Sequence, residues 1–192
     1  LDKEAFLRGT SVYLVDRTVP MLPEKLSNKV CSLRPHEEKL TYSVLFQMDE
    51  NANVKDFWLG RTVTYSDHRF TYEQAQEVIE NKSDGPFKKE LQTLNTLAKK
   101  LRANRMATGS IEFESNEVKF VLDENDHPIK VVKKVIKDSN QLIEDFMLLA
   151  NRTVATWAHG IFKDPPLPFV YRIHDRPNPD KLSSLQQFAG AF

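Results

Sequence analysis

Adjacent carboxylates recur in this chain as Glu37-Glu38, Asp49-Glu50 and Glu144-Asp145. Each pair stands alone, mostly in a turn or surface context. None supplies the several convergent oxygens that a hard divalent cation requires. Five histidines (His36, His68, His127, His159 and His174) share no metal-ligand spacing. His127 falls in a turn, and His159 lies near a helix C-terminus, where a cation is favoured. Lys99, Lys100, Arg102 and Arg105 form a basic run whose first reading is a solvated helix end. Among the aromatics, Tyr13 taken alone reads as a core tyrosine with a hydrogen-bonded hydroxyl. In Ile111-Glu112-Phe113-Glu114 the apolar residues share one strand face, so Phe113 reads equally well as plain core.

The elements that must position these residues follow from periodicity and punctuation. Asp2 to Arg8 predicts a short helix stopped at Gly9. Val12 to Val15 predicts a short buried strand, and Pro20-Met21-Leu22-Pro23 a stiff loop able to hold one side chain still. Leu22 to Ser27 then suits a single helical turn with Pro23 in its first positions. Leu40 to Met48, with Leu40, Tyr42, Val44 and Phe46 on one face, pairs with Val54 to Tyr65 as a hairpin across a polar turn. Thr71 to Glu80 predicts a helix. Phe87, Leu91, Leu94, Ala98 and Leu101 mark one face of another, running to about Arg105.

Ile111–Glu114, Glu117–Asp123 and Ile129–Val135 predict a three-stranded meander. Asp138 and Gln141 have capping-box spacing, ahead of a broad apolar face from Leu142 to Trp157 on a long helix ending by Gly160. Phe169 to Ile173 predicts a last strand, and a short helix closes the chain. The order is α+β, mixed sheet segments with a long amphipathic helix. No repeat, low-complexity tract or interdomain linker divides it, so residues 1–192 are expected to be part of one domain with no second.

Composition bounds the class of molecule. At 192 residues the chain can bury roughly 70% of its unfolded surface. No apolar run approaches the ~20 residues of a membrane span. The first residues, Leu1-Asp2-Lys3-Glu4, lack a starting Met and a signal-peptide pattern, and are expected to be the interior of a longer chain. Cys31 has no intrachain partner and is expected to be a small buried residue in a reducing cytoplasm. Lys plus Arg and Asp plus Glu are both 27, so no net field draws in a polyanion and autonomous nucleic-acid binding is disfavoured.

The ordered string Tyr-Leu-Val-Asp-Arg, Pro-Met-Leu-Pro-Glu, Leu-Ser, Cys-Ser-Leu between Tyr13 and Leu33 closely resembles the catalytic domain of the ribonuclease II and ribonuclease R family, processive 3′-to-5′ exoribonucleases. Thr71-Tyr72-Glu73-Gln74, Leu101 to Ser110, LIEDFMLLANRTVA from Leu142 to Ala155, and YRIHDRP from Tyr171 to Pro177 extend the similarity over almost the whole chain, in order. GTSVYLVDR and LIEDFM lean toward the ribonuclease R type.

The resemblance implies the RNB-type catalytic fold in a magnesium-dependent hydrolase that releases nucleoside 5′-monophosphates from the RNA 3′ end. It implies that Tyr13 packs on the 3′-terminal nucleotide and Phe113 clamps the terminal bases from the other side. Tyr72 and Glu144 would contact the ribose, a carboxylate and a phenol suiting a 2′-hydroxyl. Glu144 takes this role rather than Asp145, which the family varies more; a dipole-compensating carboxylate is its plainer alternative. Arg102 and Arg105 could face RNA in the parent, and His174, inside the YRIHDRP loop, suits a structural role. The family's aspartate cluster for Mg²⁺ and its downstream arginine have no counterpart here. The segment is therefore expected to contain no catalytic or metal-binding residue and to be inactive alone. The implied partners are the 3′ end of single-stranded RNA and the rest of the same polypeptide, with cold-shock-like and S1-like modules, in a monomeric cytoplasmic parent without membrane contact. A non-catalytic RNA-binding relative is the alternative.

Overall fold

The computed structural model describes residues 1–111, 117–161, 168–173 and 175–190. Helix α1 (Asp2–Arg8) ends at Gly9, whose φ of 68° is the left-handed geometry that glycine adopts without a Cβ clash. Strands β1 (Val12–Tyr13) and β2 (Thr18–Val19) form a two-residue antiparallel ribbon, followed by a π-helical turn over Lys25–Val30. The long hairpin of β3 (Glu38–Met48) and β4 (Val54–Tyr65) leads into α2 (Tyr72–Ile79) and α3 (Lys88–Ala107). A second hairpin, β5 (Val118–Leu122) and β6 (Pro128–Lys133), precedes α4 (Asp138–Ile161) and α5 (Pro179–Ala189). This is an α+β fold whose sheets, among the described residues, are three separate antiparallel ribbons. Residues 1–151 form one compact unit and 152–192 another.

In the first unit α2, α3 and α4 supply most of the buried side chains. Ala75 and Val78 of α2, Ala98 of α3 and Leu142 of α4 are buried, and α2 packs against α3. Buried Ala98, with no side chain beyond Cβ, lets the neighbouring elements approach closely. The β3–β4 hairpin is held by hydroxyls as well as its ladder: Thr62 Oγ1 lies 2.7 Å from Thr41 Oγ1 and 2.6 Å from Ser43 Oγ. At its turn Asp49 accepts hydrogen bonds from the Asn51 and Asn53 amides and from Asn53 Nδ2, each at 2.9 Å. The Asn53 side chain, with Lys55 beside it, holds the Asp49 carboxyl well below the usual carboxylate range.

Several expectations change. Val12 to Val15 are exposed, since among the described residues only the two-residue β2 pairs with this strand. Cys31 is exposed rather than buried. The turn after Pro23 is π-helical and runs to Val30. On β3, Leu40 and Tyr42 are exposed whereas Val44 and Phe46 are half-buried, so one strand face is sheltered only toward the turn. Among the described residues the last two strands of the expected meander pair as a hairpin; its expected first strand, Ile111–Glu114, falls mostly outside them. Phe169 to Ile173 is irregular rather than a strand, and the Phe169 and Tyr171 rings lie 4.9 Å apart.

Helix α4 begins at Asp138 itself. Lys137 takes the capping position, with its amide donating to Asn140 Oδ1 at 3.1 Å. Asp138, one residue inside, instead pairs with Lys99 at 2.6 Å. The C-terminal helix is present, its N-terminus capped by Asn178, which accepts from the Asp180 and Lys181 amides.

Candidate nucleic-acid interface

Tyr13 sits in a short, tied-down turn. Leu14 donates its amide to the Arg17 carbonyl at 2.8 Å, closing the β1–β2 reversal. The proline loop is fastened back by the Met21 amide donating to Ser11 Oγ and by Arg8 Nη1 donating to the Pro20 carbonyl, both at 3.0 Å. The Tyr13 side chain stands out from this platform, 81% exposed. A tyrosine this exposed is not a core residue of the described chain, so the plain core reading fails here. The geometry offers an open aromatic face on a rigid base.

Tyr72 opens α2. Thr71 caps it with a complete capping box: the Gln74 amide donates to Thr71 Oγ1 at 3.2 Å, and the Thr71 amide to Gln74 Oε1 at 2.9 Å. Tyr72 is half exposed and lines a cavity of about 570 Å³ together with Arg69, Phe70, Lys119, Ser139 and Ile143. Helix α2 is fixed to α4 by Gln76, whose buried Oε1 accepts from the Ser139 amide at 2.9 Å while its Nε2 donates to Glu80 at 2.8 Å. The Lys82 ammonium, and then Gln76, lower the pKa of Glu80.

The two neighbouring carboxylates on α4 have opposite environments. Asp145 is 2% exposed and accepts from Arg102 Nη2 at 2.6 Å and Nε at 3.1 Å, and from Arg105 Nη1 at 2.7 Å. Gln141 Oε1 accepts from Arg102 Nη1. One helix step of about 100° away, Glu144 is exposed and lines a different cavity, of about 410 Å³, with Arg102, Arg105 and Ile111. Glu144 also lies six residues beyond the start of α4, outside the first turn where the helix dipole acts.

These positions revise the site as read from the sequence. Glu144, not Asp145, is the carboxylate available to a ligand. Tyr72 and Glu144 line separate cavities, so the structure does not bring them together as one ribose-reading pair. Tyr13 lines neither cavity. Phe113 and His174 lie outside the described residues. The basic run is no solvated helix end: Lys99 pairs with Asp138, Lys100 donates to the Glu50 carbonyl, and both arginines grip Asp145. Glu144-Asp145 is likewise not a surface pair. Asp145 could not be picked out from sequence, because its partners lie 40 and 43 positions away. The Thr71–Gln74 box, by contrast, has a local signature that marks the α2 start. Among the described residues no group of three or more His, Cys, Asp or Glu side chains could hold a metal ion. Nor is any helix long and apolar enough to cross a membrane.

The RNB domain family matches residues 1–191. Ribonuclease R of Thermotoga maritima is 40% identical over 197 aligned residues, taking in all of this chain and 27% of that protein. Ribonuclease R 1 of Lactococcus lactis is 37% identical, over all of this chain and 24% of the relative. The solved structure of Mycoplasma genitalium RNase R in complex with ribose methylated single-stranded RNA superposes on 99% of this chain with a TM-score of 0.86 at 31% identity, using 30% of that chain. This chain thus spans about a quarter of the length of these curated relatives.

Proposed function

This chain belongs to the RNB domain family, and on that premise we propose that it is the RNA-channel and 3′-end-clamp segment of a processive 3′-to-5′ exoribonuclease that hydrolyses RNA to nucleoside 5′-monophosphates. The observation that carries this reading is the end-to-end match to ribonuclease R at 40% identity. The substrate is single-stranded RNA, the ligand of the Mycoplasma genitalium structure. Mg²⁺, expected from the family resemblance, would supply an activated water and neutralise phosphate charge, and its ligands are proposed to lie in other parts of the whole protein. The whole protein is a cytoplasmic monomer carrying cold-shock-like and S1-like RNA-binding modules.

Within that reading the chain's own residues bind and orient. Tyr13 offers its exposed face to the 3′-terminal base. Stacking of this kind tolerates any sequence, as a processive enzyme requires, and each stack contributes about 1–3 kcal/mol. Phe113 clamps the terminal bases from the other side. The Tyr72 phenol and the Glu144 carboxylate act on the ribose, favouring RNA over DNA. Their placement in separate cavities fits contacts to different nucleotides of the strand.

The test uses the full-length protein, 5′-labelled single-stranded RNA and Mg²⁺. A ladder shortening from the 3′ end, release of nucleoside 5′-monophosphates and loss of both with a chelator are expected. Internal cleavage, or shortening from the 5′ end, would overturn the reading. Tight RNA binding without any degradation would instead assign the protein to the non-catalytic relatives.

A further inference from the structure

The cavity beside Tyr72 carries more chemistry than a ribose contact requires. Its walls are apolar, with Phe70, Leu142 and Ile143 among them. Two cations, Arg69 and Lys119, line it from different elements, the loop before α2 and strand β5. Both are exposed, and neither pairs with a carboxylate among the described residues. Two cations without a carboxylate partner therefore line one cavity. Glu73 is the single acidic residue on the lining, against two cations.

Ser139 adds an independent observation. It lines the same cavity, is 3% exposed, and its Oγ is the one buried side-chain polar atom without a hydrogen-bond partner among the described residues. A buried hydroxyl left unpaired costs roughly 1–3 kcal/mol, and such a group calls for an explanation. Its amide is fixed on Gln76, but χ1 is held by no bond at Oγ. A turn between staggered rotamers can therefore bring the hydroxyl to a ligand.

We propose that this cavity is a subsite for one nucleotide unit. Its phosphate is engaged by Arg69 and Lys119, its base or sugar lies against the apolar wall, and Ser139 Oγ turns to hydrogen-bond the bound unit. A volume of about 570 Å³ lies in the range of small-ligand sites, roughly 300–1,000 Å³. The inference rests on the RNA-degrading reading above and adds three binding residues to it. The shared chemistry, a ribonucleotide phosphate, has two sources: an internal nucleotide of the strand or a released nucleoside 5′-monophosphate.

The experiment measures binding of full-length protein to ribose methylated single-stranded RNA across a salt series. Single-strand phosphate contacts each contribute about 0.7 to the slope of log K against log salt. Arg69→Ala with Lys119→Ala should lower that slope by about 1.4 and weaken low-salt binding at least tenfold. Arg69→Lys with Lys119→Arg should restore the slope. Ser139→Ala should weaken binding about threefold without lowering the unfolding temperature, because its Oγ bonds to nothing in the free protein.

Competition by nucleoside 5′-monophosphate separates the two sources. Displacement that depends on Arg69 and Lys119 identifies the product, and failure to displace identifies the strand. Unchanged affinity and slope in the double alanine variant would overturn the subsite. If those variants still degrade RNA as wild type does, the exonuclease reading survives that loss. A wild-type protein that neither binds nor degrades RNA would instead sink the reading itself.

Discussion

Around α4, polar side chains bond across long stretches of chain: Asp145 to arginines 40 and 43 positions away, and the Ser139 amide to Gln76 at 63. In the opening segment, residues 9–31, hydrogen bonds among the described residues span at most 12 positions. The first region buries its charges and makes them structural. The second is a local brace that leaves its aromatic in water. A family motif therefore marks two different physical situations. In LIEDFM the neighbouring acids split, with Asp145 holding helices together and Glu144 left open. In SVYLVDR every residue after Ser11 is exposed, and Tyr13 presents its ring at the surface.

The largest effect should come from breaking the helical side. Asp145→Ala leaves two guanidiniums without their acid in a partly desolvated site. Losing one partner of a fully buried pair costs about 3–5 kcal/mol, and a value near the lower end is expected because Arg102 and Arg105 remain 18% and 31% exposed. Hydrogen exchange in the full-length protein should show α3 and α4 amides losing protection. Unchanged protection would mean that the pair is incidental.

Glu144→Ala, one residue away, should leave stability intact. On the proposed reading it loses one charged hydrogen bond to a 2′-hydroxyl, about 1.5–3 kcal/mol. Rates on matched RNA and DNA oligomers should then converge by roughly 10- to 150-fold. An unchanged preference in a normally folded variant would remove Glu144 from the ribose contact. Combining it with Tyr72→Phe sharpens the point: separate cavities predict additive effects, whereas a shared ribose predicts coupling.

Tyr13→Ala probes the other region. The ring is solvated in the free protein, so stability should not fall. Loss of one stacking platform, about 1–3 kcal/mol, should release short oligomers early and leave longer end products on a denaturing gel. End products of wild-type length would show that Tyr13 does not hold the strand.

The same contrast governs what the sequence made legible. Helices α1, α3, α4 and α5 and the β3–β4 hairpin carry their own signals: a 3.6-residue apolar period, alternation, and turn residues such as Asp49 and Gly9. Burial was legible only where those periods were long. Val12 to Val15 has a strand composition, but four residues cannot announce whether a second layer covers them. Phe169 to Ile173 likewise has a strand composition and is irregular, because composition alone does not set pairing. The start of α4 was misplaced by one residue: Asp138 lies inside the helix and pairs with Lys99, a tertiary contact no local pattern displays, while Asn140 accepts from the Lys137 amide. At the candidate site the motifs named Tyr13, Tyr72 and Glu144. The division of Tyr72 and Glu144 between two cavities depends on the relative rotation of α2 and α4, which no local pattern encodes.

The smallest effect tests whether local bracing also sets the site on the helical side. Thr71→Ala removes the Oγ1 that accepts the Gln74 amide and exposes one unsatisfied donor at the start of α2. Loss of an N-cap typically costs about 1 kcal/mol. Helix α2 is only eight residues long, so fraying of its first turn reaches Tyr72 immediately, while Gln76 still holds the middle of the helix to α4. The expected result is a small fall in protection confined to the first α2 amides. With it should come a partial loss of RNA-over-DNA preference, smaller than that of Tyr72→Phe. Thr71→Ser keeps the acceptor and should behave as wild type. A preference unaffected by Thr71→Ala, despite measurable fraying, would mean that Tyr72 is positioned by the cavity wall rather than by its cap, and would make the helical side robust to local damage in a way the opening segment is not.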